Sequence, residues 1–232
     1  MHDVSHPSSG TATKPTPLPR NASTWAFLAI AVVVGFGAYL GFVSVGPLAI
    51  DDWWHGAARV ERSSLGHALA VFMAEVGGGI GAASCAAIAA ALFFAVRLPR
   101  GAATVLTAML LGIAGSELLK ALVSRPRPWD QLYSAAGSSY PSGHTMGAAA
   151  LAVSIALVAC SAYDFTSRQA AGVWSVAILW VATMAWSRTA LHVHWLTDTL
   201  AGALLGTAAA LIALALWHPE RTVDQVNVSG SL

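Results

Sequence analysis

Charge is the scarcest property of this 232-residue chain: 12 Lys and Arg with 11 Asp and Glu make up 10% of it, where a soluble domain carries about a quarter. That excludes an ordinary soluble globular protein. The formal net charge of +1 says nothing by itself about a nucleic-acid partner, and none is expected. Cysteine is nearly absent as well. Cys85 and Cys160 both fall inside apolar runs, which excludes a disulfide framework and a thiolate metal site and leaves them to pack as small hydrophobic residues. No internal repeat is visible. What is present is apolar: 56% of residues are hydrophobic and the mean hydropathy is +0.63, the composition of an integral membrane protein.

The apolar residues fall into six runs long enough to span a bilayer as helices, predicting an all-α bundle. They cover 24–46, 65–96, 102–122, 142–161, 170–186 and 195–217. Residues 1–23, rich in Pro, Ser and Thr, read as a disordered tail, and 218–232 as a polar one. The second run is longer than a span needs. Measured back from Arg97 at about 1.5 Å per residue, Glu75 lies roughly 31 Å along a straight helix, near the opposite interface. The glycines after Glu75 read as a helix-packing surface, since no strand precedes them to make a nucleotide loop. The stretch 51–64 reads as a polar connection, with Trp53 and Trp54 as interfacial anchors and His55 and His67 as interfacial residues.

Six spans put both termini on one side. Lys and Arg then divide evenly: Lys14, Arg20, Arg97, Arg100, Arg168 and Arg221 on the terminal side, against Arg59, Arg62, Lys120, Arg125, Arg127 and Arg188. Four of the second group lie in segments that look chemical. Setting these aside favours cytoplasmic termini.

Three polar segments share the face opposite the termini. Lys120, Arg125 and Arg127 are spaced closely enough to repel one another unless an anion lies among them; contact with lipid headgroups is the plainer alternative. Pro141-Ser142-Gly143-His144 opens the fourth span. Ser142 is a natural N-cap there, and the N–H groups of Ser142, Gly143 and His144 would point outward as an anion nest. The third segment runs from Ser187 to Asp198. It carries Arg188, a cation that could clamp an oxyanion. It also carries His194 and Asp198, four apart, so that a helix beginning near Val193 would place carboxylate and imidazole on one face. Together these supply cationic clamps, an amide nest, a His–Asp pair and a second His. That is an inventory for phosphoryl transfer through a histidine nucleophile. His192, His194 and Asp198 could instead ligate a metal, a reading that leaves the basic cluster unused. Glu117 is placed to pair with Lys120, and Glu75 and Arg125 are candidates for supporting contacts. Trp129 and Asp130 read as ordinary loop residues.

Lys120-x6-Arg127-Pro128, Pro141-Ser142-Gly143-His144 and Ser187-Arg188-x5-His194-x3-Asp198 resemble, in identity, order and separation, the three signature motifs of the type 2 phosphatidic acid phosphatase (PAP2) family. The resemblance covers all six spans. It implies a membrane lipid phosphatase of the PAP2/haloperoxidase fold that needs neither cofactor nor metal. It further implies that His194 attacks phosphorus, Asp198 orients it, and His144 protonates the leaving group. Lys120, Arg127, Arg188, Ser142 and the Gly143 N–H would hold the phosphate oxygens. Arg125 is an additional arginine beside the first motif.

A site between helix ends suits a substrate whose chains stay in the bilayer. With cytoplasmic termini it would face outward from the plasma membrane, which suits an isoprenoid carrier such as undecaprenyl diphosphate, and Arg125 adds charge suited to a diphosphate. Phosphatidylglycerophosphate and phosphatidic acid are the rival substrates. Phosphoryl transfer to a second lipid would use the same residues. An anion transporter would place its charges nearer the midplane and carry inverted repeats.

Overall fold

The computed structural model describes residues 21–218, so the two expected tails lie almost wholly outside the described residues. Among the described residues there is no strand. The helices are α1 (Ala22–Phe42), α2 (Ala49–Ala57), α3 (Leu65–Gly77), α4 (Gly79–Ala95), α5 (Pro99–Leu122), α6 (Gly143–Ala162), α7 (Ser167–Ala190) and α8 (Leu196–Trp217). Five of them, α1, α5, α6, α7 and α8, are long and apolar enough to cross a membrane, and α3 with α4 makes a sixth, bent crossing. The chain is an all-helical integral membrane protein.

α8 sits in the middle of the bundle against α1, α5 and α6, while α7 packs on α6 and α3 and α4 packs on α5. Lipid offers no hydrophobic force to drive helices together, so close backbone approach between small residues does that work. α8 buries Ala201, Gly202, Gly206, Ala208, Ala209, Ala210 and Ala213. A Cβ at Gly202 would collide with the Ser142 carbonyl oxygen, and one at Gly206 with that of Met146. α8 and α6 are therefore in backbone contact, and the contact begins at the start of α6. Large apolar side chains such as Phe27, Phe94, Leu118 and Leu179 stay exposed on the perimeter, as suits a bundle surrounded by lipid.

Two elements differ from the sequence expectation. The run 65–96 is not one helix: it breaks at Gly78, which is extended (φ −67°, ψ 170°), and the halves meet at 65°. Three successive glycines at 77–79 weaken the helix, and the space beside them is taken. A Cβ at Gly77 would lie 2.5 Å from Met184 Cε and 3.2 Å from His144 Cδ2. The straight-helix distance to Glu75 therefore does not hold. The connection 51–64 begins within a further helix, α2, whose third residue, Asp51, is fully buried.

Candidate active site

The end of α5, the connection to α6, the start of α6, the turn between α7 and α8, and the α3–α4 break surround one cavity of about 540 Å³. Glu75, Lys120, Arg127, Tyr133, Gly143, His144, Arg188 and His194 all line it. The two histidines, the lysine, Arg127, Arg188 and Gly143 named from the sequence are thus gathered into one space. Ser142 and Asp198 are fully buried and are not part of its lining.

The α7–α8 turn places the His194 imidazole. α7 ends at Ala190 and α8 starts at Leu196, so His194 precedes the helix instead of lying on it. Its Nδ1 is 2.7 Å from the carbonyl oxygen of Ser139 and 3.6 Å from Asp198 Oδ2. A carbonyl can only accept, so Nδ1 carries the proton and Nε2 keeps its lone pair. Arg127 Nη1, 3.2 Å from Nε2, donates to it. Burial is the largest influence on the charge of His194. It holds the pKa down to about 4, against the pull of Asp198, while Arg127 and Arg188 push the same way as burial. At neutral pH the ring is uncharged and is held in place by a backbone carbonyl.

Asp198 is held from three sides. Its Oδ2 accepts from the Trp195 N–H at 2.9 Å, closing the first turn of α8. Its Oδ1 is 2.5 Å from Arg125 Nη1. The other arm of Arg125 is 2.6 Å from Asp51 Oδ2. Asp51 also accepts from the Thr197 N–H at 2.9 Å. Arg125, Asp51 and Asp198 are all essentially unexposed. Arg125 is therefore the countercharge between two buried carboxylates and does not line the cavity, so its charge offers no argument for a diphosphate.

The three arginines differ in what they have left to offer. Arg127 spends Nε on Gly137 O, Nη1 on Val193 O as well as His194, and Nη2 on Ala136 O and Ser138 O. It presents its charge to the cavity but no spare donor. Arg188 is 1% exposed, yet its Nε and Nη1 have no hydrogen-bond partner. Its guanidinium lies over the Tyr133 ring, 5.6 Å from the centroid, and the Tyr133 hydroxyl donates to Glu75 Oε1 at 2.7 Å. A buried cation with idle donors beside a cavity is costly unless an anion completes it.

The start of α6 faces the same space. The Ser142 hydroxyl accepts from the Thr145 N–H, as expected of an N-cap. The Ser142 N–H, expected in the anion nest, instead donates to the Asp198 carbonyl at 3.0 Å, which leaves Gly143 and His144 as the amides of that first turn. A Cβ at Gly143 would be 3.3 Å from Lys120 Nζ, so the lysine stands at the helix start. Lys120 also pairs with Glu117 at 2.7 Å. His144 Nε2 faces the carbonyl oxygen of Ala74 at 3.1 Å. That acceptor is available because the α3–α4 break turns the Gly78 N–H to Glu75.

Sequence reasoning missed Asp51, Tyr133 and Ser139. Only Asp51 carried a signal: it is one of 11 acidic residues in the chain and stands at a helix start beside an apolar run. The grouping of His192 with His194 and Asp198 is not what the fold assembles. His192 meets His55 and Asp130 instead.

Comparison with known proteins gives three results. The model of the PAP2 superfamily matches residues 101–222. A crystal structure described as the first transmembrane PAP2 type phosphatidylglycerolphosphate phosphatase, from Bacillus subtilis, superposes with a TM-score of 0.70 at 23% identity, over 84% of this chain and 96% of that one. LpxE from Aquifex aeolicus superposes with a TM-score of 0.59 at 20% identity, over 72% of this chain and 96% of that one. At these identities both show a shared fold. No curated protein sequence gives a significant match.

Proposed function

The chain belongs to the PAP2 superfamily, and we propose that it is a lipid phosphatase working through a phosphohistidine. His194 Nε2 attacks phosphorus. The bond to the lipid oxygen breaks, and His144, which has taken up the last acidic proton of the phosphate monoanion on Nδ1, passes that proton to the leaving oxygen. Water, deprotonated by His144, then attacks the phosphohistidine and releases inorganic phosphate and the free imidazole. His144 engages Ala74 through Nε2–H, which leaves Nδ1 to exchange the proton. Arg188, Lys120, the charge of Arg127 and the Gly143 amide stabilise the oxygens of five-coordinate phosphorus. Asp198 steadies the imidazolium side of His194 from 3.6 Å.

The observation that carries this reading is the buried Arg188 with two idle nitrogens, on the same cavity wall as His194. The lipid is supported by a second, largely apolar groove of about 500 Å³, which runs along α4, α5 and α6 through Ala83, Ala87, Leu106, Leu110 and Ile113 and ends at Lys120, Gly143 and His144. Chains lying there would leave a phosphate at the histidines. The cationic side chains supply the neutralisation a divalent ion would otherwise give. Among the described residues, the side-chain group suited to an ion shares no member with the cavity lining. A chelator should therefore leave the initial rate unchanged at 25 °C.

For substrate, an undecaprenyl-diphosphate-type carrier fits a site facing outward from the plasma membrane. A phosphomonoester such as phosphatidylglycerophosphate or phosphatidic acid is favoured by the burial of Arg125, which leaves fewer charges for a second phosphate, and by the phosphatidylglycerolphosphate phosphatase from Bacillus subtilis whose fold this chain shares. The test is inorganic phosphate release from detergent-solubilised protein across a panel of lipid mono- and diphosphates. At least one should be hydrolysed, with His194→Ala reduced to background and His144→Ala reduced about 10²–10⁴-fold. Full activity in His194→Ala overturns the proposal.

A further inference from the structure

We propose that His55, Asp130 and His192 form a binding site for one divalent transition-metal ion of the Zn²⁺ class, separate from the phosphate cavity. The three come from the last turn of α2, the α5–α6 connection and the α7–α8 turn, and their ligand atoms all lie within 4.8 Å of one another. His55 Nε2 is 3.3 Å from Asp130 Oδ2, and His192 Nδ1 is 3.0 Å from the same oxygen. A tetrahedral ion bound at about 2.0–2.1 Å separates neighbouring ligand atoms by roughly 3.3 Å. Two edges of that figure are therefore nearly in place without an ion. The two imidazole rings lie 3.9 Å apart, centroid to centroid, and each brings one nitrogen to the same carboxylate. Two neutral imidazoles and a carboxylate are a donor set suited to Zn²⁺ and its first-row relatives, with a fourth position left for water.

The surroundings support the site. His192 is 2% exposed. Trp129 and Trp195 stand against His55, with centroids at 5.8 and 5.4 Å, and such an apolar wall shields an ion from water. The ion would also have structural consequences. Asp130 is three residues after Arg127, and His192 is two before His194. The two segments are already joined by the Leu132 N–H to the Leu191 carbonyl at 2.9 Å. A bound ion would clip α2, the connection and the turn together, stabilising the folded state without touching phosphate. A His–Asp–His hydrogen-bond relay would use the same contacts without an ion.

The experiment is a Co²⁺ titration of the full chain, purified in detergent and stripped with chelator, followed by visible d–d absorption. The expected result is a tetrahedral-type band saturating at one equivalent, displaced by Zn²⁺, retained in His194→Ala and lost in both Asp130→Asn and His55→Gln. Zn²⁺ should raise the melting midpoint of the parent chain and leave both variants unmoved, and phosphate release by the variants at 25 °C serves as the check that they are folded. No band, or a band that survives both substitutions, would leave only the hydrogen-bond relay and overturn the proposal. So would a band lost in His194→Ala, which would put the ion in the catalytic cavity. The titration needs no substrate, so a chain that binds Co²⁺ yet releases no phosphate would sink the catalytic reading and leave this one standing.

Discussion

Arg188 is buried with Nε and Nη1 unpartnered, so under the proposed function it burdens the empty protein and serves the occupied one. Replacing it by Met should therefore leave the melting midpoint equal or higher, while kcat/KM falls about 10²–10³-fold, the loss typical of one oxyanion contact. A fall in both stability and activity would mean that Arg188 is chiefly structural. Arg125 should behave in the opposite way. Its removal strands Asp51 and Asp198 in the interior, a loss of about 3–5 kcal/mol, so Arg125→Met should melt far earlier or fail to fold. His194 offers a pH test. Its pKa is lowered to about 4, so below about 6.5 the unfolded chain binds a proton that the folded one refuses. Its contribution to stability is therefore complete above that value and is lost as pH falls from about 6.5 towards 4. The imidazole resonances of the free protein should titrate near 4, and titration near 6.5 would contradict the buried neutral ring. At this scale the motifs made Lys120, Arg127, His144, Arg188 and His194 legible, because each lies at a fixed spacing from a neighbour. Asp51 was not legible as a partner of Asp198, since 147 positions separate the two and no spacing rule spans that distance.

Among the elements, the α3–α4 break does most to shape the site. It exposes the Ala74 carbonyl to His144 and sets Glu75 beside Tyr133. Its glycines were visible in the sequence, but a Gly-rich stretch in an apolar run reads equally as a packing surface. What distinguishes a break is the occupation of the adjacent space by Met184 and His144, which belong to other helices. The α6–α8 seam gives the clearest prediction. At Gly206 a side chain meets backbone at Met146, not a flexible tip, so the helices themselves must part. Gly206→Val should cost about 1–3 kcal/mol. At Gly202, where the obstacle is Ser142, valine should in addition displace the start of α6 and abolish most phosphate release. A Gly202→Val protein with normal kcat would show that the amides of α6 are not held by this seam. The six apolar runs were legible because a bilayer demands about 20 apolar residues from each span. Helix α2 was not, because a nine-residue helix lying among polar residues has no such requirement.

Across the whole molecule, residues from α3, α4, α5, α6, α7 and the connections between them meet at one cavity, and an apolar groove leads from it along α4, α5 and α6. That arrangement suits a substrate held by the bilayer and cut at its surface. If the termini are cytoplasmic as proposed, a tag ahead of Met1 should resist protease in right-side-out vesicles while lipid phosphate supplied from outside is hydrolysed; a tag cleaved under those conditions would reverse the proposed orientation. The account depends most on the covalent step. Protein given a lipid substrate labelled in its terminal phosphate, then quenched in alkali, should carry label on a single peptide, as phosphohistidine at residue 194. That label should build up in His144→Ala, where hydrolysis of the intermediate is slowed. Label on any other residue, or steady turnover with no labelled protein under quench conditions that preserve phosphohistidine, would contradict it.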